Sequence, residues 1–178
     1  MERLSEPSVA DGFERQFVRP RQGRTLIVGS RVYPGREDRR ALYDNVEGWD
    51  ALPGEGVDRV IDLENEVPSV EQFAHIECVS VLEHTKRPWL LARNIEQLLR
   101  VGGTLYLTVP FVWRVHSYPD DFWRFTVSGV RALFSSILWE SICYSHLELT
   151  ESIKSPGATL HGHTYLPRTE VCAFGVRL

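Results

Sequence analysis

The sequence predicts an α/β domain organised around a mostly parallel sheet. Short apolar runs bounded by Gly, Ser and Pro read as buried strands, as in Thr25-Leu26-Ile27-Val28 before Gly29-Ser30. A strand, a helix and a strand follow one another between His75 and Pro110, an alternation that favours parallel pairing through right-handed crossovers. With 178 residues, 43% of them apolar, the chain can bury one sizeable core and has no room for a second full domain.

Taken in order, residues 1–24 are polar apart from a short helical pattern around Val9 to Val18, and end in the breaker-rich Arg19-Pro20-Arg21-Gln22-Gly23. They read as a lead-in or lid, with the single domain spanning 25–178. Thr25 to Val28 is the first strand. Pro34-Gly35 marks a turn, Glu37 to Tyr43 suits about two helical turns, and a short second strand falls near Val46 to Asp50. Val57 to Leu63 alternates before turning continuous, a third strand ending at Asp62, and Pro68 to Phe73 is at most a short helix. His75 to Leu82 reads as the next strand. Pro88 to Arg100 carries Leu91, Ile95, Leu98 and Leu99 on one helical face, with Pro88 tolerated in the first turn and Gly102-Gly103 as the stop. Thr104 to Val109 is a strand closed by Pro110. Thr126 caps a helix through Val130 to Phe134, and Glu140 to Glu148 and Glu170 to Val176 form a terminal strand pair around a Gly/Pro/His loop.

A formal net charge of −4 gives no general electrostatic reason to expect nucleic acid, which needs a basic footprint. Arginines concentrate between Arg15 and Arg40, either as a solvated face or as an anion-attracting rim. Cys78, Cys143 and Cys172 are odd in number, far apart in sequence and set in apolar runs, so they read as reduced core residues. No run of about 18 apolar residues is present and the N-terminus lacks the apolar block of a signal peptide, which predicts a cytoplasmic protein without a membrane partner.

In an open parallel sheet, ligands bind beyond the carboxyl ends of the strands. Here those ends carry Gly29-Ser30-Arg31, then Asp50, then Asp62. A glycine there admits close backbone approach to a ligand; a carboxylate can accept ribose hydroxyls or an adenine amino group. Each feature alone reads equally as a tight turn or a cap. Their order, followed by Cys78-Val79-Ser80-Val81-Leu82-Glu83-His84 and Leu98-Leu99-Arg100-Val101-Gly102-Gly103-Thr104, resembles the class I S-adenosylmethionine-dependent methyltransferases of the type-11 group. The resemblance covers about residues 25 to 135 and extends through His116, Pro119, Asp121 and Arg124-Phe125-Thr126.

That resemblance implies a Rossmann-like, mostly parallel seven-stranded sheet with an antiparallel last strand, helices on both faces and S-adenosylmethionine as cofactor. Gly29, Ser30 and Arg31 would pass beside its methionine part and Asp50 would hold the ribose. Asp62 and the Leu63 amide would bracket the adenine, and Val81, Leu82 and Glu83 would line the sulfonium side. The sequence departs from the pattern at Ile27, where the family has an acidic residue, and at Arg31-Val32, where it has further glycines.

For a hydroxyl acceptor, His116 is the first candidate general base and His84 the second, with Asp121 and Arg124 orienting a polar substrate. The alternative reading makes His84 a loop-orienting residue, packs His116 beneath Trp113, Tyr118, Phe122 and Trp123, and pairs Asp121 with Arg124 internally. His161-Gly162-His163 does not define a ligand set, so no metal is expected. The leading function is methyl transfer to a small polar acceptor, a sugar or another biosynthetic intermediate. The alternative is a degenerate, non-catalytic domain of the same fold that serves as a partner or regulatory module. A nicotinamide-dependent oxidoreductase would need G-x-G-x-x-G after the first strand, which is absent.

Overall fold

The computed structural model describes residues 9–68, 72–116, 119–146, 159–160, 163–164 and 168–178. Its elements are α1 (Val9–Phe17), β1 (Thr25–Val28), β2 (Val46–Asp50), β3 (Arg59–Val60), β4 (Phe73–Val79), α2 (Pro88–Leu98), β5 (Leu99–Pro110), α3 (Val127–Leu133), β6 (Ile137–His146), β7 (Thr159–Leu160), β8 (His163–Thr164) and β9 (Arg168–Arg177). Single 3-10 turns lie at Arg39–Leu42 and Leu82–His84. Seven strands form one sheet in the order β3-β2-β1-β4-β5-β9-β6. β9 pairs antiparallel with both β5 and β6 while the other pairings are parallel, so the last strand of the chain is the reversed one. β7 and β8 pair with each other.

Alternation along the strands sends Leu26, Val28, Ile76, Cys78, Leu105, Leu107, Val171 and Ala173 to one face. There they pack with Leu91, Ile95 and Leu98 of α2 and Val130 of α3 in the main core. The opposite face carries Tyr106, Cys172 and Phe174, covered by Phe13 and Phe17 of α1. The segment read as a lead-in or lid therefore carries a helix seated on the sheet, and helices lie on both faces. Cys143 and Cys172, distant in sequence, face each other across β6 and β9 as free thiols.

Several boundaries differ from the sequence expectation, each for a local reason. The helix expected over Glu37 to Tyr43 is one 3-10 turn, capped by the Asp38 carboxylate accepting from the Arg40 amide. The third strand shrinks to two residues because Asp58 turns its carboxylate to the Gly48 amide at 2.7 Å and Asp62 opens a turn. β4 begins at Phe73 and stops at Val79. Ser80 takes a positive φ of 54° there, and the chain winds into the second 3-10 turn. α2 passes straight into β5 at Leu99, and the glycine pair that read as its stop sits inside β5, where the register to β4 shifts and Gly102 has a φ of 73°. Residues 69–71 of the expected short helix, the end of the strand expected at Glu148, Tyr118, and His161 with Gly162 lie outside the described residues.

Between β1 and β2 one 3-10 turn stands where the α/β pattern has a crossover helix. The sheet face beneath it is filled by a polar cluster instead. Glu77 on β4 is fully buried and accepts from Tyr43 Oη at 2.7 Å and from the Arg39 guanidinium, which also reaches Glu14 of α1 at 3.0 Å.

Candidate active site

Two groups of predicted residues meet at the carboxyl ends of the central strands, and the segment from Ser80 to His84 joins them. In the first, Gly29 holds a φ of 70° and lies directly beneath Val81, whose methyl would be 2.4 Å from a β-carbon at that position. Only glycine fits this contact without displacing Val81. Asp50, at the tip of β2, accepts from the Arg31 amide at 3.1 Å and from the Leu52 amide at 2.9 Å, one bond to each oxygen. Ser30 Oγ is buried beside them with no hydrogen-bond partner among the described residues. The Arg31 guanidinium lies 5.3 Å from the Tyr33 ring and packs against Gly54, so it leans over the loop that follows β2. No helix starts at this turn, so the free amides that a helix N-terminus would offer an anion are absent from the described residues here.

Ile27 occupies the position at which the family pattern has a carboxylate. Glu77 is its partner in the register of β1 and β4, yet Glu77 is held by Arg39 and Tyr43 and is turned to that task. Asp62 caps its own turn. Its oxygens accept from the Glu64 amide at 3.0 Å and from the Asn65 side chain at 2.5 Å. Leu63 is buried, and its carbonyl accepts from Asn94 of α2 at 2.7 Å.

The second group is tighter. The 3-10 turn sends Leu82 into the main core, leaving only its backbone near the strand ends. Glu83 is fully buried, and neither carboxylate oxygen has a hydrogen-bond partner among the described residues. Its Oε1 lies 3.7 Å from His84 Nε2 and 3.9 Å from His116 Nε2. The two imidazoles meet edge to face at 4.9 Å. Burial, reinforced by the Asp121 charge, pushes the Glu83 carboxyl up to about 8.

Residues 119–125 strap this group in place. Phe122 donates its amide to the Glu83 carbonyl at 2.7 Å, Trp123 Nε1 donates to the Thr85 carbonyl at 2.9 Å, and the Asp120 carbonyl lies 2.5 Å from His84 Nδ1. Asp121 lies 3.1 Å from His116 Nδ1 and accepts the His116 amide at 2.8 Å. Arg124 grips Asp121 with two nitrogens at 2.5 and 2.8 Å and reaches the carbonyls of Trp113, Arg114 and Trp123. That grip holds the Asp121 carboxyl well below the usual carboxylate range. Asp121 and Arg124 thus form the internal ion pair that the sequence left as an alternative to substrate contact, and Asp121 aims His116. Sequence reasoning placed Glu83 beside the sulfonium and missed its convergence with the two histidines. The adjacency of Glu83 and His84, and the spacing of His116, Asp121 and Arg124, were the available signals. A cavity of about 340 Å³ lined by Arg19, Arg21, Arg100 and Thr104 opens at the other end of the sheet, away from all these residues.

Gly29 under Val81, Asp50 at the tip of β2 and the buried Ser30 hydroxyl, which has no hydrogen-bond partner among the described residues, fit the ribose and methionine side of an S-adenosylmethionine site. Each Asp50 oxygen keeps acceptor capacity beyond its one amide bond. No family model matches the sequence, and no curated protein does. Solved structures do match the fold. A putative Haloferax volcanii methyltransferase, solved in complex with the Trm112 methyltransferase activator, superposes with a TM-score of 0.64 at 12% identity over 94% of this chain and 87% of that one. A putative methyltransferase from Bacillus halodurans gives 0.59 at 14% over 93% and 96%. The N-methyltransferase NodS from Bradyrhizobium japonicum, solved with S-adenosyl-L-homocysteine, gives 0.58 at 11% over 86% and 77%. The chain has the class I methyltransferase fold, and among the described residues no helix is long and apolar enough to cross a membrane.

Proposed function

We propose that the chain is an S-adenosylmethionine-dependent methyltransferase that acts in the cytoplasm on a small polar acceptor, a sugar or another biosynthetic intermediate. The observation that carries the reading is the meeting of Gly29, Val81 and Asp50 at the strand ends of a sheet with this order and this reversed strand. Gly29, Ser30 and Arg31 would hold the methionine part, Asp50 the ribose, Asp62 with the Leu63 amide the adenine, and Val81 with the backbone of Leu82 and Glu83 the sulfonium side. When bound, the cofactor supplies a methyl group on an already activated sulfonium, so the chain's task is alignment and exclusion of water. His116, steadied by Asp121, accepts the proton of an acceptor hydroxyl, with His84 beside it as the second base. Asp121, paired with Arg124, serves the acceptor by accepting the His116 amide and so holding that residue, while the half-exposed rings of Phe122 and Trp123 offer it an apolar edge.

One set of observations favours the second reading, a non-catalytic partner or regulatory module. Asp50 already takes two backbone amides and Arg31 leans across the neighbouring loop. The neighbour in complex with the Trm112 activator is a precedent for a protein partner. Calorimetric titration with S-adenosylmethionine and S-adenosylhomocysteine separates the two readings. Methyl transfer expects micromolar binding, about −8 kcal/mol, weakened in Asp50→Ala or Asp62→Ala. No binding of either ligand near millimolar leaves the module reading in place.

A further inference from the structure

We infer that Glu83, His84 and His116 form a binding site for one divalent transition-metal ion, with Zn²⁺ the ion that fits their donors best. Their ligand atoms all lie within 4.8 Å of one another. The separations of 3.7 and 3.9 Å from Glu83 Oε1 to the two imidazole Nε2 atoms are too long for hydrogen bonds. They are close to the spacing that a shared ion imposes. Bonds of about 2.1 Å in a tetrahedron set neighbouring donors about 3.4 Å apart, so the carboxylate stands within about half an ångström of that spacing from each imidazole, and side-chain rotation about the two rings closes the rest.

Three further observations point the same way. Glu83 is a fully buried carboxylate whose two oxygens have no hydrogen-bond partner among the described residues, and such a group is costly unless a cation or a donor meets it. Each histidine has its far nitrogen against an oxygen: Nδ1 of His84 against the Asp120 carbonyl at 2.5 Å, and Nδ1 of His116 against the Asp121 carboxylate at 3.1 Å. The Asp120 carbonyl takes the Nδ1–H of His84 and so leaves Nε2 as the ligand atom of that ring, and the Asp121 carboxylate beside Nδ1 of His116 favours the same tautomer there, an arrangement that also orients metal-binding imidazoles. Residues 119–125 are anchored on the Glu83 and Thr85 carbonyls, and Asp121 among them accepts the His116 amide, so the third donor is braced from that stretch.

Two imidazoles and one carboxylate select a transition metal over Mg²⁺ or Ca²⁺, and three protein donors leave a fourth position open, as in catalytic rather than structural zinc sites. The binding itself rests on this cluster alone. Its use, to take an acceptor oxygen and lower the proton affinity of its hydroxyl so that the proton passes to solvent water rather than to His116, whose Nε2 the ion would occupy, rests on the methyl-transfer reading. None of the donors belongs to His161-Gly162-His163, the stretch on which the sequence led to no metal being expected.

The test uses the full chain, stripped with a chelator and titrated with Co²⁺, whose visible absorption reports four- or five-coordination, and then with Zn²⁺ in competition. The site predicts one equivalent of Co²⁺ with visible bands that Zn²⁺ displaces. Glu83→Gln and His116→Ala should each weaken binding more than about a hundredfold, and Asp121→Asn, which keeps all three donors, about 10- to 100-fold. Circular dichroism of each variant shows whether it folds, and the wild-type titration decides the matter where one does not. Absence of Co²⁺ binding by the folded wild-type chain overturns the inference, as does equal binding by all variants, which would put the ion elsewhere. S-adenosylhomocysteine titrated into the stripped and the loaded chain keeps the two readings apart: its binding without any metal uptake sinks this site and leaves methyl transfer standing.

Discussion

His75 makes the stability of this fold fall with acid in a way that one substitution can isolate. The ring is fully buried on the α1 face of β4, with Nδ1 2.8 Å from Thr104 Oγ1 and 3.0 Å from the Thr104 carbonyl, and Nε2 3.3 Å from Tyr43 Oη. Burial, with the Arg21 charge adding to it, lowers its pKa from 6.5 to about 3. On acidification the unfolded chain takes up this proton near pH 6.5, whereas the folded chain resists it until about pH 3. The contribution is therefore whole above the unfolded pKa and is lost as the pH falls through that window. Across the full window it amounts to about 5 kcal/mol, and between about pH 7 and about pH 5 to about 2 kcal/mol. Urea unfolding of the wild type and of His75→Gln at both pH values measures it. Carboxylates and other histidines titrate alike in both proteins, so the wild type should lose about 2 kcal/mol more than the variant. Equal losses would mean that the ring already carries its proton inside the fold, and the argument from burial would fail.

Two other substitutions probe the parts of the structure that hold the site. Gly29→Ala should cost about 2–4 kcal/mol in urea unfolding, from left-handed backbone and from overpacking against Val81, and Gly29→Ala combined with Val81→Ala should recover the overpacking share, leaving about 1–2 kcal/mol. Additive losses in the double variant would show that Val81 is not what fills the space. Glu77→Ala strands Arg39 and Tyr43 beneath the missing crossover helix and should cost about 3–5 kcal/mol, with Glu77→Gln milder because Tyr43 keeps an acceptor. A loss under about 1 kcal/mol for Glu77→Ala would show that the cluster does not replace the helix.

The elements legible in the sequence are those whose cause is local. β2 over Val46–Asp50, Pro88 in the first turn of α2 and Thr126 as the cap of α3, accepting from the Gly129 amide at 3.0 Å, depend on alternation, a fixed φ or one side-chain bond. What escaped depends on distant partners. Leu99 and Arg100 continue the helical pattern of α2, but Leu99 faces Phe73 across the sheet and is drawn into β5. Asp50 and Asp62 were recognisable as strand-end carboxylates, while their engagement with nearby amides follows from turns that a periodicity does not encode. Glu83 was legible as a site residue but not its direction. A strand running to Leu82 would alternate its side chains, and the 3-10 turn buries Leu82 and Glu83 together on different sides of the segment.

That turn also joins the two halves of the site in one short segment. Ser80 holds a φ of 54°, a conformation that costs a non-glycine residue free energy, and its amide is tied to the Thr108 carbonyl of β5 at 3.0 Å. Directly after it, Val81 covers Gly29 on the side where the glycine turn and Asp50 lie, and two residues on Glu83 faces His84 and His116. A change that lifts Val81 would reach the buried carboxylate through two peptide units, with Leu82 between them packed in the core. An occupant over Gly29 and an ion or proton at Glu83 should accordingly alter each other's affinity by one common factor, since coupling between two binding sites is reciprocal.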